Sequence, residues 1–255
     1  MKIVNDSRDL LIHTHMGLGD HLVLSGMIRK IAESNDDKKI FLITRDDIHD
    51  NVELLYSDIE QIIPTNISFY PKLGQMYNLS DLDSPWRTTA RTYAEMMDLN
   101  LVTIGYHNHR GMYFWDQSFY DSMEIDYNVK YEYFKIPENI LEASEQKYQT
   151  HFLNLVDNKE FVFLHDDPKR NYKIDGPIET ELQIVRNNKL VEENYSIFDM
   201  IPVLKKAKQL HMIGSSLLCL CDLLNLPTNE EQKCFYYASM RGFGGWPGVN
   251  KWKLL

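Results

Sequence analysis

The sequence predicts an α/β protein of two domains, each built on a parallel sheet that presents polar turns at the carboxyl ends of its strands. Three observations predict it: short apolar runs alternate with helical patterns, the rhythm restarts near Pro137, and glycine or polar turns follow particular strands. Alternation of this kind implies parallel pairing. A length of 255 residues accommodates two compact halves, since single cores stop growing near roughly 250 residues.

Each element follows from its local pattern. Leu10 to His15 is a short extended run, MGLGD breaks it, and Leu22 to Ala32 carries apolar residues at helical spacing. Lys39 to Thr44 (KIFLIT) reads as a strand, Asp50 to Tyr56 as a helix, and Gln61 to Pro64 as another apolar run. Asn66 to Tyr77 is turn-rich, Pro85 to Met97 is helical, and Leu99 to Ile104 is a further strand. The first domain then closes, giving a boundary at 135/136.

The second half opens with a long polar helix from Pro137 to about Val156 and the strand Phe161 to His165. Strands at Leu182–Arg186, Gln209–Ile213 and Lys233–Tyr237 follow, with helices at Ile197–Ala207 and Ser215–Leu224 between them. This second domain spans 136–241. The tail, Gly242 to Leu255, carries Trp246, Trp252, Leu254 and Leu255, too apolar for a solvated end. It is expected to return toward the first domain through the turn at Gly244-Gly245.

Composition narrows the function classes. Hydrophobic residues make up 44% and charged residues 25%, ordinary globular usage that argues against wholesale disorder. A net charge of −10 argues against nucleic acid as a partner, because phosphate neutralisation needs a basic surface. The three cysteines, Cys219, Cys221 and Cys234, form no CxxC pair and suit a reducing compartment. Asp6 and Asp9 interrupt the N-terminus where a signal peptide needs an apolar core, and no run is long enough to span a membrane. A cytoplasmic location is expected.

Three motifs carry candidate chemistry. The first is the turn His15-Met16-Gly17-Leu18-Gly19-Asp20-His21, between the first strand and its helix. In open α/β sheets ligands bind at that edge, glycines such as Gly17 and Gly19 let the backbone come close, and helix amides favour anions. Asp20 reads either as a helix N-cap or as a carboxylate able to take a proton from a hydroxyl, with His13, His15 and His21 as nearby alternatives. A dinucleotide fingerprint is incomplete because Leu22 stands where the third glycine belongs. Asp46 and Asp47 nonetheless follow the second strand, where such folds place a ribose-binding acid.

The second motif is the loop HDDPKRNYKID after the apolar strand Phe161–Leu164. His165, Lys169, Arg170 and Lys173 form a local basic group suited to a diphosphate, unless the loop is an ordinary solvated one with Asp–Lys pairs. The third is Gly214-Ser215-Ser216, where a strand meets a helix. Free amides and serine hydroxyls there either cradle phosphate or simply cap the helix.

With these residues set out, the turn ending in Asp20 resembles the N-terminal motif of GT-B glycosyltransferases of the heptosyltransferase type. The stretch IFDMIPVLKKAKQLHMIGSSLLCLCDLL is similar to their donor-binding domain. Through HDDPKRNYKID, QLHMIGSS and FYYASMRG the likeness is nearest to divergent GT-B-like proteins of large viruses, phages and some bacteria. The resemblance implies two facing Rossmann-like domains with a cleft between them. It also implies an inverting transfer from a nucleoside-diphosphate sugar to a sugar hydroxyl, with Asp20 as base and the donor held by the second domain. The basic loop is not shared with the heptosyltransferase type, so its residues are read from their charge alone.

No metal cofactor is expected. Asp81-Leu82-Asp83 has the letters of a metal-binding DxD but runs into the turn signal Ser84-Pro85. Trp86, Trp115 and Trp246 are candidate sugar-stacking residues or simple filler. Two other functions fit the same elements: a non-catalytic nucleotide-sugar or glycan-binding protein, and an NAD-dependent oxidoreductase.

Overall fold

The structure is a computed structural model that describes residues 7–14, 17–66, 85–105, 116–167, 170–192, 195–240 and 251–255. The chain divides into two compact units, Met1–Pro137 and Glu138–Leu255, where the sequence suggested 135/136.

The first unit runs β1 (Leu10–His13), α1 (Leu18–Ser34), β2 (Ile40–Thr44), α2 (His49–Tyr56), β3 (Ile62–Asn66), α3 (Pro85–Met96), β4 (Asn100–Thr103), α4 (Gln117–Ser122) and α5 (Val129–Glu132). Its sheet has the order β3-β2-β1-β4, and every pair is parallel. Leu10, Leu11 and Ile12 lose all exposure, as expected where both faces of a parallel sheet are covered. That double burial is why the LLI of β1 reads as an unbroken apolar run.

In the second unit α6 (Glu138–Lys147) continues through a π-helical segment, Tyr148–Phe152, into α7 (Leu153–Leu155). Then come β5 (Phe161–His165), β6 (Gln183–Arg186), α8 (Asn187–Glu192), α9 (Met200–Lys206), β7 (Gln209–Met212), α10 (Ser216–Leu223), β8 (Lys233–Tyr236) and β9 (Lys253–Leu254). The order is β6-β5-β7-β8-β9, again with all pairs parallel.

The end of the tail departs from the return to the first domain that its apolar residues suggested. β9 pairs with β8 as an edge strand of the second sheet, Trp252 is buried, and its Nε1 donates to the Leu226 carbonyl at 2.9 Å. The indole thus finds both an apolar bed and an acceptor inside the second unit. Gly242 to Asn250, with Trp246, lie outside the described residues, as do Trp115 and Asp81-Leu82-Asp83.

Both sheets contain a switch in strand order. In the first, the chain steps from β1 to β2 and β3, then lays β4 on the other side of β1. In the second it steps from β5 to β6, then lays β7 on the other side of β5. Crossovers leave a strand edge in opposite directions at such points, which opens a crevice at the carboxyl ends. Among the described residues no helix is long and apolar enough to cross a membrane.

Candidate functional residues at two strand-order switches

The turn after β1 lies at the first switch, and its helix begins earlier than the apolar spacing suggested. Gly17 is the N-cap in extended conformation, at φ −88° and ψ 151°, and α1 starts at Leu18. Gly19 and Asp20 are therefore the second and third residues of the helix. Asp20 is not the N-cap: its Oδ2 reaches back and accepts the Gly17 N–H at 3.0 Å, the returning half of a capping box.

This position has an electrostatic consequence. Although Asp20 keeps part of its surface, its carboxylate is shut away from bulk water, and that desolvation pushes its pKa up to about 7. The Gly17 amide, the Arg45 guanidinium and the Asp20 amide pull the other way and moderate the rise. A carboxyl that titrates near neutrality is matched to proton transfer at neutral pH.

The neighbouring histidines differ. His21 is buried, with its pKa lowered to about 3, first by burial and then by Arg45, so the ring is neutral at ordinary pH. Its Nε2 has no hydrogen-bond partner, and it faces the interior rather than the turn's surface. His13 is buried at the end of β1, and His15 lies outside the described residues.

Arg45, which no sequence pattern marked, leads out of β2 on the same edge. Its Nε and Nη2 donate to Asp47 Oδ1 and Oδ2 at 2.9 and 2.6 Å, a two-pronged pairing that aims the planar group. Asp46 accepts from Asn66 Nδ2. Both acids of the oxidoreductase reading are thus engaged, Asp47 within the turn and Asp46 by the last residue of β3. The only sequence signal for Arg45 was a basic residue directly after an apolar strand.

At the second switch, β5 ends at half-buried His165, and the register sets His165 opposite Met212 of β7. Two residues beyond β7 comes Gly214, followed by Ser215 as N-cap of α10 in extended conformation. Ser215 Oγ accepts the Leu218 N–H at 3.3 Å, and half-buried Ser216 opens the helix. His165 and the Ser215-Ser216 helix start therefore share one edge on directly paired strands. The cap bond uses the Ser215 hydroxyl as acceptor and leaves its proton available as donor.

The basic loop is a small antiparallel turn. Asp167 and Tyr172 exchange main-chain hydrogen bonds at 2.7 and 2.9 Å, with Asn171 at φ 63° between them. Arg170 is exposed with Nε 3.4 Å from Asp167 Oδ2, and exposed Lys173 sits 2.7 Å from Asp175 Oδ1. These are the local acid–base pairs that the solvated-loop alternative described. Lys169 lies outside the described residues. The loop's root is anchored by Asp166, which is almost wholly buried: its Oδ2 takes Arg186 Nη1 at 2.5 Å and the Ile174 N–H at 3.4 Å. Sequence reading missed this anchor, because Arg186 comes from β6 and only strand pairing brings it to Asp166.

The two units define an α/β protein with two parallel sheets, each with a turn at its switch in strand order. No family model matches the chain, and no curated protein matches it. Among solved structures it is similar to the glycosyl transferase family 9 from Veillonella parvula DSM 2008, with a TM-score of 0.53 and 9% identity. The likeness covers all of this chain and 86% of that one, so it extends over each of the two units.

Proposed function

We propose that the chain is a glycosyltransferase of GT-B type that moves a sugar from a nucleoside-diphosphate sugar to a sugar hydroxyl, with inversion and without a metal cofactor. The observation that carries this reading is the Asp20 carboxyl, held at the first sheet's switch with its pKa near 7 in a fold similar to a family 9 transferase. The narrower likeness to viral and phage proteins rests on the segments HDDPKRNYKID, QLHMIGSS and FYYASMRG alone.

In this reading the second unit grips the donor. Ser216 and its neighbouring amides at the start of α10 donate to the diphosphate, as does the Ser215 hydroxyl, with His165 on the adjoining strand. Lys169, Arg170 and Lys173 add charge from the loop. Asp20 of the first unit, in its ionised form, takes the acceptor hydroxyl proton as that oxygen bonds to the anomeric carbon. The bond to the diphosphate breaks, and the nucleoside diphosphate leaves with its electron pair. Helix amides directed at that leaving group stabilise the charge that develops there. A cytoplasmic setting belongs to the same reading, supported by three buried free thiols.

The test is a panel of UDP, GDP, ADP and TDP sugars offered to the purified chain, with binding read by calorimetry and transfer by product analysis. One donor should bind and be consumed. Donor binding without hydrolysis or transfer would leave a nucleotide-sugar-binding protein, and absence of binding across the panel would overturn the reading.

A further inference from the structure

The N-cap glycine of α1 stands in an unusual relation to the acid three residues on. Oδ2 of Asp20 lies 3.0 Å from the Gly17 nitrogen, and a Cβ built on Gly17 would lie 2.6 Å from that same oxygen. No carbon approaches an oxygen so closely without displacing it. The backbone at Gly17, at φ −88° and ψ 151°, is open to any L residue, so the glycine is not required by its own conformation. What it leaves room for is the carboxylate.

We infer that Gly17 is a positioning residue for Asp20: its N–H and its missing Cβ hold Oδ2 in place and thereby present Oδ1 as the oxygen that receives the acceptor proton. The inference rests on the reading of Asp20 as the base. It assigns Gly17 a different task from close approach to a ligand, namely fixing the orientation of a half-buried acid. The same amide donates to the ionised carboxyl and so favours that form. Among the described residues, the charged and titratable groups around the turn include Arg45, Asp46 and Asp47 beyond β2, His13 at the end of β1 and buried His21 on α1.

Gly17→Ala separates the roles. The atom it strikes is the tip of one side chain rather than backbone, so the carboxylate rotates away and the fold survives, with a two-state circular dichroism melt lowered only by the loss of one helix-cap hydrogen bond. Turnover should fall by about tenfold to a hundredfold, the scale of misplacing a reacting group by about an ångström, while donor KM stays the same. The acidic limb of the pH profile should shift, because displacing the carboxylate changes both the burial that raises its pKa and the amide bond that lowers it. A carbon-13 titration of the Asp20 carboxyl, assigned with Asp20→Asn, needs no turnover and should show the same shift. An unchanged Asp20 titration in Gly17→Ala overturns the inference. So does wild-type turnover in Gly17→Ala while Asp20→Asn is inactive. Full activity in Asp20→Asn would instead sink the base assignment itself.

Discussion

Lys130 Nζ lies 2.6 Å from Asp116 Oδ2, and neither side chain has any exposure to solvent. Tyr127 donates its hydroxyl to the same oxygen at 2.8 Å, and the lysine sits 4.8 Å from the Tyr131 ring centroid. Two desolvated charges are tolerated here because each neutralises the other and the tyrosines supply further polar contact.

Removing one partner leaves the other as an uncompensated buried charge. Lys130→Met should therefore destabilise the first unit by about 3–5 kcal/mol, read as a lower urea midpoint. The double variant Lys130→Met with Asp116→Leu should recover much of that loss. If the single lysine variant unfolds at the wild-type midpoint, the pair contributes nothing to stability.

Such a pair was not legible in the sequence, and the reason is general to what was missed. KIFLIT and FVFL could be read as strands because burial of the sheet leaves nearly continuous apolar runs, a property of each segment alone. Lys130 with Asp116, Asp166 with Arg186, and Arg45 near Asp20 depend on which strands and helices become neighbours, which no local pattern encodes. The start of α1 was placed too late for a different reason. Leu22 to Ala32 carries the apolar spacing, but the first turn is held by the Asp20–Gly17 hydrogen bond, and Gly19 weakens its propensity signal. β9 is two residues long and exists only through pairing with β8, so its pattern was too short to read.

The end of the tail provides a stability test. Trp252 is 7% exposed and tied to the Leu226 carbonyl, so Trp252→Ala removes a large apolar body and orphans a buried acceptor. Losses of this kind cost about 3–5 kcal/mol, and truncation after Arg241 should cost at least as much. The check is a thermal melt of both variants. A melting temperature equal to wild type in either one would mean that the edge strand is dispensable.

Arg170 tests the donor assignment. Its pairing with Asp167 is at the open surface, where such contacts are worth roughly 0–1 kcal/mol, so Arg170→Ala should leave stability unchanged. The weak pairing also lets the guanidinium swing to a ligand at small cost. Losing a charge-assisted contact to diphosphate costs about 1.5–3 kcal/mol, so calorimetry should show nucleotide binding weakened roughly tenfold to a hundredfold. Equal nucleotide affinity in the variant removes Arg170 from the site.

Asp20 ties the proposed chemistry to a pH dependence with a definite sign. Its carboxyl titrates near 7 in the folded chain and near its ordinary value, about 4, when unfolded, so between these values the folded state binds more protons. Stability should then fall as pH rises from about 4 to about 7, by at most about 4 kcal/mol at 1.36 kcal/mol per unit. Turnover runs the opposite way, because only the ionised carboxylate accepts a proton, and it should climb through an acidic limb near pH 7. Asp20→Asn keeps an oxygen for the Gly17 N–H but cannot ionise. The variant should lose this part of the stability slope, become more stable than wild type at pH 8, and lose about 10²–10⁴ in kcat. Donor binding, assigned to residues of the second unit, should not change. Denaturant unfolding across pH 4 to 8 beside steady-state kinetics checks both signs on one pair of proteins. Wild-type stability slopes in Asp20→Asn would show that the carboxyl is not buried as an acid, and undiminished transfer would show that another group takes the proton.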